Sequence, residues 1–264
     1  MRKKTPNIFS FATSELSQDA IFAWLISWSA PEFAGTDPEL HHIGQNFVRL
    51  LAGKESDFKI ACVDVGRQWE NIDIWAEIND NTFLIVEDKT GTSIHDDQLE
   101  RYKASVEKEY AGKRTDLCYA YVKTAEEPGS VLKSIEQYGF RTINRAAILK
   151  CLEDYKGSDS LLISYREHLR EIDARVNSFR SLPEKEWGGM HGRAFTRNWS
   201  RGLISTPGAT SPIHPADSLA PGGTSSKWGT AQCISSSNRV NCASKSRMKV
   251  RKTALRLDTA TTQK

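Results

Sequence analysis

Two acidic residues and a lysine lie on two neighbouring strands that the sequence predicts, Asp73 within the first strand and the other two at the end of the second. Asp73 is in the segment NIDIW, and Glu87 and Lys89 close the segment NTFLIVEDK, which follows after a short turn. Antiparallel strands joined by such a turn can place Asp73 and Glu87 side by side at one sheet edge. Alternation along the strand puts Glu87 and Lys89 on the same face, with Asp88 on the other. We therefore expect one cluster of two carboxylates and an ammonium.

This combination of charges favours a divalent cation. Two carboxylates that meet in a partly buried place repel each other, and they stay ionised when a cation lies between them. Mg²⁺, or Mn²⁺ in its place, accepts carboxylate oxygens and keeps some of its waters. A nearby lysine can orient a water or stabilise charge that develops on a phosphate. The chemistry that needs all of these groups is hydrolysis of a phosphodiester bond.

Further polar residues flank this cluster in the sequence. Gln98 and Tyr102 are four residues apart in a predicted helix, so both face one way and could bind a phosphate or a metal water. Glu15, in SELSQDAIFAWL, opens the first predicted helix. These residues also have simpler explanations. The Gln–Tyr pair can lie on a solvated helix surface, and Glu15 can interact with the helix dipole. Lys89 of the central cluster can form a plain ion pair with Glu87.

The segments NIDIW and LIVEDK together resemble the signature of the PD-(D/E)XK nuclease superfamily, which has the restriction-endonuclease-like fold. QLERY is similar to the QxxxY element of its RecB-like branch. The closest resemblance is to uncharacterised bacterial and phage members with an acidic first helix. The proline of the superfamily's name is absent, since Ile72 precedes the aspartate.

The resemblance implies a role for each residue of the candidate site. Its metal ligands are Asp73 and Glu87, and its catalytic lysine, which assists the attacking water, is Lys89. Its supporting residues, which position phosphate or complete the site, are Gln98, Tyr102 and Glu15. It implies a Mg²⁺-dependent nuclease, acting on DNA. An RNA-directed enzyme, an inactive binding module that kept the fold, and a homodimeric assembly all remain open.

The order of predicted elements indicates an α/β fold. Two helices precede three strands, the first of them at 58–65, and a helix at 95–110, a fourth strand and further helices follow. This order predicts a restriction-endonuclease-like three-layer core, in which a mixed central sheet is flanked by helices.

The composition indicates the cellular compartment in which the protein is expected. The chain of 264 residues has no apolar run near the ~20 residues that a membrane span needs. Its five cysteines are scattered without CxxC spacing, which indicates free thiols in a reducing, cytoplasmic environment.

The last part of the chain differs in character from the rest. Residues 1–192 hold 24 Lys and Arg against 31 Asp and Glu, whereas residues 193–264 hold 12 against 2 and are rich in Pro, Gly and Ser. This composition predicts a nuclease-like domain at 1–192 and a disordered basic tail at 193–264. A reading frame shifted back by one base near Arg193–Phe195 can encode the segment GYVSNPSGGF, which resembles a stretch that the family has and this chain lacks. We therefore interpret the tail as a frameshift product rather than as an evolved nucleic-acid arm, and a pseudoenzyme inactivated by the frameshift is a further alternative to an active nuclease.

Overall fold

Five strands form one mixed sheet in the order β1-β2-β3-β4-β5. Strands β1 to β3 form an antiparallel meander, and β4 and β5 extend it in parallel to β3. Their bounds are Val63–Trp69, Ile72–Ile78, Thr82–Lys89, Asp116–Lys123 and Arg141–Asn144. This computed structural model describes residues 6–92, 94, 97–113, 115–181, 183, 186, 192 and 195, all within one compact unit that spans residues 1–209.

Six helices in the described residues cover the two faces of the sheet. They are α1 (Glu15–Ser27), α2 (Pro38–Ala52), α3 (Gln98–Glu109), α4 (Gly129–Gln137), α5 (Arg145–Glu153) and α6 (Ser160–Asn177). Helices α1, α2, α5 and α6 pack with one face of the sheet in the larger apolar cluster, and α3 and α4 pack with the other face in a smaller one. This arrangement confirms the predicted three-layer α/β core.

The first strand begins later than predicted. Residues 59–61 are bound by the side chain of Asn79, which accepts a hydrogen bond from the Ala61 amide at 2.7 Å and donates one to the Lys59 carbonyl at 2.6 Å. Strand β1 starts only at Val63 and runs through Gly66 to Trp69. The ring of Trp75 packs over Gly66 so closely that a Cβ there would lie 2.4 Å from it. The predicted strand at 58–65 is confirmed from Val63 onward and was wrong over 58–62, where the Asn79 side chain takes the place of strand pairing at 59–61.

The fold bears on three other predictions. Helix α3 begins at Gln98 rather than at residue 95, and Asp97 is its N-cap. The cysteines that the structure describes, Cys62, Cys118 and Cys151, are free thiols, as predicted. No helix in the described part of the chain is long and apolar enough to cross a membrane. Apart from Phe195, the predicted tail at 193–264 lies outside the described residues.

Candidate active site

The meander brings Asp73 and Glu87 to the same edge of the sheet. Strands β2 and β3 pair from Ile78–Thr82 to Ile74–Val86, and one further step in that register places Asp73 opposite Glu87. The Asp73 carboxylate accepts a hydrogen bond of 2.9 Å from the backbone amide of Asp88. Glu87 is fully buried, whereas Asp73 is half-buried. The two predicted metal ligands are therefore neighbours across the strand pair.

Lys89 joins them on the same face, as alternation predicted. Its Nζ lies 2.6 Å from Glu87 Oε1 and 3.9 Å from Glu15 Oε2. Asp88 points to the opposite face, where it accepts a 2.6 Å hydrogen bond from the Gln18 amide of α1. The end of β3 therefore presents one acid and one lysine to the site and holds the intervening acid against helix α1.

Burial and like charge make this site retain protons. Burial and the neighbouring Asp73 charge raise the pKa of Glu87 to about 8. For Lys89, burial favours the neutral amine, but the hydrogen bond and charge of Glu87 outweigh it and raise the pKa of the ammonium. Lys89 is therefore a cation at neutral pH. At neutral pH without metal, Glu87 therefore keeps its proton beside Asp73, and a bound divalent cation would displace that proton.

Glu15 lies at the N-terminus of α1 and faces the loop after β3. Its Oε1 accepts hydrogen bonds from the Thr92 hydroxyl at 2.6 Å and from the Thr90 amide at 3.1 Å. Partial burial acts in the other direction, but these hydrogen bonds hold the pKa of Glu15 below its ordinary value. Glu15 is thus an ionised acid next to Lys89, and it anchors the loop through which β3 leaves the site.

Gln98 and Tyr102 share one face of α3, as their spacing predicted. The Gln98 amide donates to Glu87 Oε1 at 2.7 Å and to the Tyr102 hydroxyl at 2.6 Å. The Tyr102 hydroxyl in turn donates to the backbone carbonyl of Asn71 at 2.6 Å. The two residues therefore connect Glu87 to the turn between β1 and β2.

A second acid of α1 is absent from the sequence-based prediction. Asp19 is 1% exposed and pairs with Arg67 of β1 at 3.3 Å. Burial and the Asp73 charge raise the pKa of Asp19 to about 6, although Arg67 opposes this shift. Asp19 follows Glu15 by four residues, so both lie on one helix face. The four-residue spacing from Glu15 was the signal by which the sequence could have indicated Asp19. Asp19 adds a further acidic group beside Asp73.

A buried lysine at the end of β4 supports the loop after β3. Lys123, at the end of β4, is 4% exposed; it donates to the Thr92 carbonyl and lies 3.0 Å from Glu127. Because Thr92 also binds Glu15, this lysine supports the wall of the site rather than its centre. Nothing in the local sequence around Lys123 indicated this role, which depends on the parallel pairing of β3 and β4.

The family model for the PD-(D/E)XK nuclease superfamily matches residues 6–186 of the chain. The chain belongs to the PD-(D/E)XK nuclease superfamily. No curated protein and no solved structure matches it. The match spans every element that builds the site, from Glu15 on α1 to Tyr102 on α3.

PD-(D/E)XK nucleases typically use divalent metal ions, and the donor set here fits one. Among the described residues, no three His, Cys, Asp or Glu side chains come together as a metal-binding group. Mg²⁺ does not need such a cage, because one or two carboxylates, waters and substrate phosphate oxygens commonly suffice. Glu87 Oε2 is buried and accepts no hydrogen bond from a donor in the described part of the chain, so this oxygen could bind a cation when Glu87 is ionised.

Proposed function

We propose that this protein is a Mg²⁺-dependent nuclease that hydrolyses phosphodiester bonds, with DNA as its main substrate. One observation carries the proposal: the buried Glu87 carboxylate lies beside the Asp73 carboxylate, contacts Lys89, and keeps one oxygen without a partner among the described residues. A purely structural ion pair would need only Glu87 and Lys89, whereas a divalent cation would use the second acid, Asp73, as well.

Asp73 and Glu87 would hold the metal, with Mn²⁺ as an alternative to Mg²⁺. When bound, the ion would supply Lewis acidity, which stabilises negative charge on the scissile phosphate and lowers the pKa of a water. Gln98 fixes Glu87 by donating to Oε1, which leaves Oε2 as the oxygen that would bind the metal. The Asp88 amide fixes Asp73 in the same manner through Oδ2. Each ligand thus has one oxygen bound to the protein.

Lys89 acts in this proposal as a fixed positive charge. Its raised pKa means that it carries its proton at neutral pH and cannot accept one from water. It can instead orient the attacking water by donating to it and stabilise the charge that develops on the phosphate. Glu15 lies 3.9 Å from the ammonium and helps to hold it in place.

The substrate would approach from the side of Asp73 and Glu15. The Glu15 side chain is 29% exposed and Asp73 is half-buried, whereas Glu87 is closed to solvent. This exposed edge lets a phosphate reach the metal position without opening the core. The preference for DNA rests on the resemblance to the RecB-like branch, and the geometry favours no particular strand state.

Incubation of the full chain with end-labelled and circular DNA, and with RNA of the same sequence, tests the proposal. We expect cleavage of DNA in Mg²⁺ or Mn²⁺ and none in EDTA. Faster cleavage of RNA would change the substrate class and leave the site intact. Binding of DNA without cleavage in either metal would contradict nuclease activity and support an inactive binding module.

A further inference from the structure

The hydroxyl of Tyr102 contacts the β1–β2 turn instead of the open side of the site. The side chain is 6% exposed, and its ring packs with Ile72, Phe83 and Leu99 in the apolar layer under α3. The hydroxyl accepts from Gln98 and donates its one proton to the Asn71 carbonyl at 2.6 Å. Its donor capacity is therefore already used within the protein.

The turn that it contacts has an unusual backbone. Glu70 and Asn71, the two residues between the paired Trp69 and Ile72, have φ values of 52° and 67°. Positive φ at both central positions is the requirement of a type I′ hairpin turn, which strongly favours Asn-Gly. The chain has Glu-Asn there instead, so the turn sequence by itself specifies this conformation weakly. A tertiary contact to the turn is then a means of holding it.

Asp73 depends on this turn because the ladder is interrupted beside it. The β1–β2 pairing passes from Arg67–Ile74 to Trp69–Ile72 without a pair between Gln68 and Asp73, and Gln68 has a φ of 56°. Ile72 and Ile74 are two residues apart, yet they pack in the clusters on opposite faces of the sheet. The regular alternation therefore breaks at Asp73, as at a β-bulge, which re-aims a side chain.

We propose that Tyr102 is a positioning residue for metal binding: by holding the Asn71 carbonyl it fixes the strained turn, and the turn sets the Asp73 carboxylate against Glu87. The inference rests on the proposed function, since it assigns Asp73 to a metal. It differs from the role that the QxxxY resemblance implies, in which Tyr102 contacts phosphate. The two roles make different predictions, because one acts on metal affinity and the other on substrate affinity.

Tyr102→Phe removes the hydroxyl and keeps the ring in its apolar layer. We expect the Kd for Mg²⁺, measured by calorimetry without substrate, to rise about 10- to 100-fold, as is typical when a partner of a metal ligand is lost. At saturating Mg²⁺, kcat should recover and KM for DNA should equal that of the wild type. Tyr110→Phe is the matched control, because Tyr110 also donates from the α3 side to β2, to Glu77 at 2.6 Å, far from Asp73. It should leave Mg²⁺ affinity unchanged.

A rescue experiment separates positioning from general loss of structure. Glu70→Asn combined with Asn71→Gly supplies the preferred type I′ sequence. In the Tyr102→Phe background this change should restore much of the Mg²⁺ affinity, since the turn then holds itself. A Tyr102→Phe protein with wild-type Mg²⁺ affinity, or with a raised KM at saturating Mg²⁺, would overturn the inference. If the wild type neither binds Mg²⁺ nor cleaves DNA or RNA in its presence, the proposed function on which the inference rests is overturned instead.

Discussion

Lys89 Nζ lies 2.6 Å from Glu87 Oε1, and the same oxygen accepts a 2.7 Å hydrogen bond from Gln98. Both donors bind one oxygen of a fully buried carboxylate, and Oε2 has no partner in the described part of the chain. Glu87 is thus fixed through Oε1, whereas Oε2, which is also buried, accepts no hydrogen bond from these residues. That asymmetry suits a metal ligand, which must be oriented by the protein and still have a free lone pair.

Replacing Lys89 should affect catalysis more than metal binding. We expect Lys89→Met to lower kcat about 10²- to 10³-fold, the usual cost of losing one preorganised donor to developing charge. Lys89→Arg, which keeps the charge, should recover part of this loss. Lys54→Met is a suitable control, because Lys54 pairs with Asp116 at the start of β4, away from the site. The variants are compared by their single-turnover rates at saturating Mg²⁺. Equal rates for Lys89→Met and the wild type would exclude Lys89 from the chemistry.

Mg²⁺ should stabilise the fold, because only the folded chain brings Asp73 and Glu87 together. At a hundred times its Kd, a ligand of the native state adds about 2.7 kcal/mol to the free energy of unfolding. Asp73→Asn should abolish this gain, although its amide oxygen can still accept from the Asp88 amide. Without metal the variant should be no less stable than the wild type, because one like charge beside Glu87 is gone. A Tm response to Mg²⁺ that survives in Asp73→Asn would place the ion elsewhere.

The stability of the metal-free protein should fall as the pH rises. The pKa of Glu87 is raised from an ordinary 4.5 to about 8, so the folded state binds this proton more tightly than the unfolded chain does. The stabilisation is fully present below pH 4.5 and is lost as the pH rises through 8. Urea unfolding in EDTA between pH 5 and pH 9, compared with Glu87→Gln, isolates this contribution, since other titrating groups are common to both proteins. Parallel pH profiles would show that Glu87 titrates normally.

The sequence predicts the elements of the site well and their connections poorly. Strand alternation correctly assigned Glu87 and Lys89 to one face, and the i,i+4 spacing correctly assigned Gln98 and Tyr102 to one side of α3. These are local regularities that hold wherever a regular strand or helix forms. The family resemblance supplied the chemical interpretation, and the match over residues 6–186 confirms the family.

Features that depend on tertiary contacts could not be predicted in this way. The Asn79 side chain bonds residues 59–61 in place of strand pairing. The bulge at Asp73 breaks the alternation of side chains along β2. Lys123 at the end of β4 donates to the Thr92 carbonyl in the loop after the parallel strand β3. Each requires knowledge of which segments meet in space. The buried Asp19 is an intermediate case, because its spacing from Glu15 was visible but its pairing with Arg67 was not.

The frameshift interpretation of residues 193–264 remains a prediction. Sequencing the gene across codons 190–198 tests it directly: a one-base change near Arg193–Phe195 is expected, and an intact frame with other codons would refute it. A chain that ends at Phe195 should unfold at the same temperature as the full chain, because a tail that was never selected to pack contributes no buried surface. Phe195 is kept because its ring contacts Phe179, with 6.1 Å between the centroids.

The most direct test of the proposed metal centre is the single-turnover rate of DNA cleavage as a function of Mg²⁺ concentration for the wild type, Asp73→Asn and Asp64→Asn. Asp64 is an exposed acid of β1 and serves as the matched control. We predict that Asp73→Asn lowers the saturated rate at least about 10²-fold, since the charge stabilisation by a metal is worth several kcal/mol, and that Asp64→Asn cleaves like the wild type. Equal rates for Asp73→Asn and the wild type at every Mg²⁺ concentration would contradict the assignment of the centre to Asp73 and Glu87.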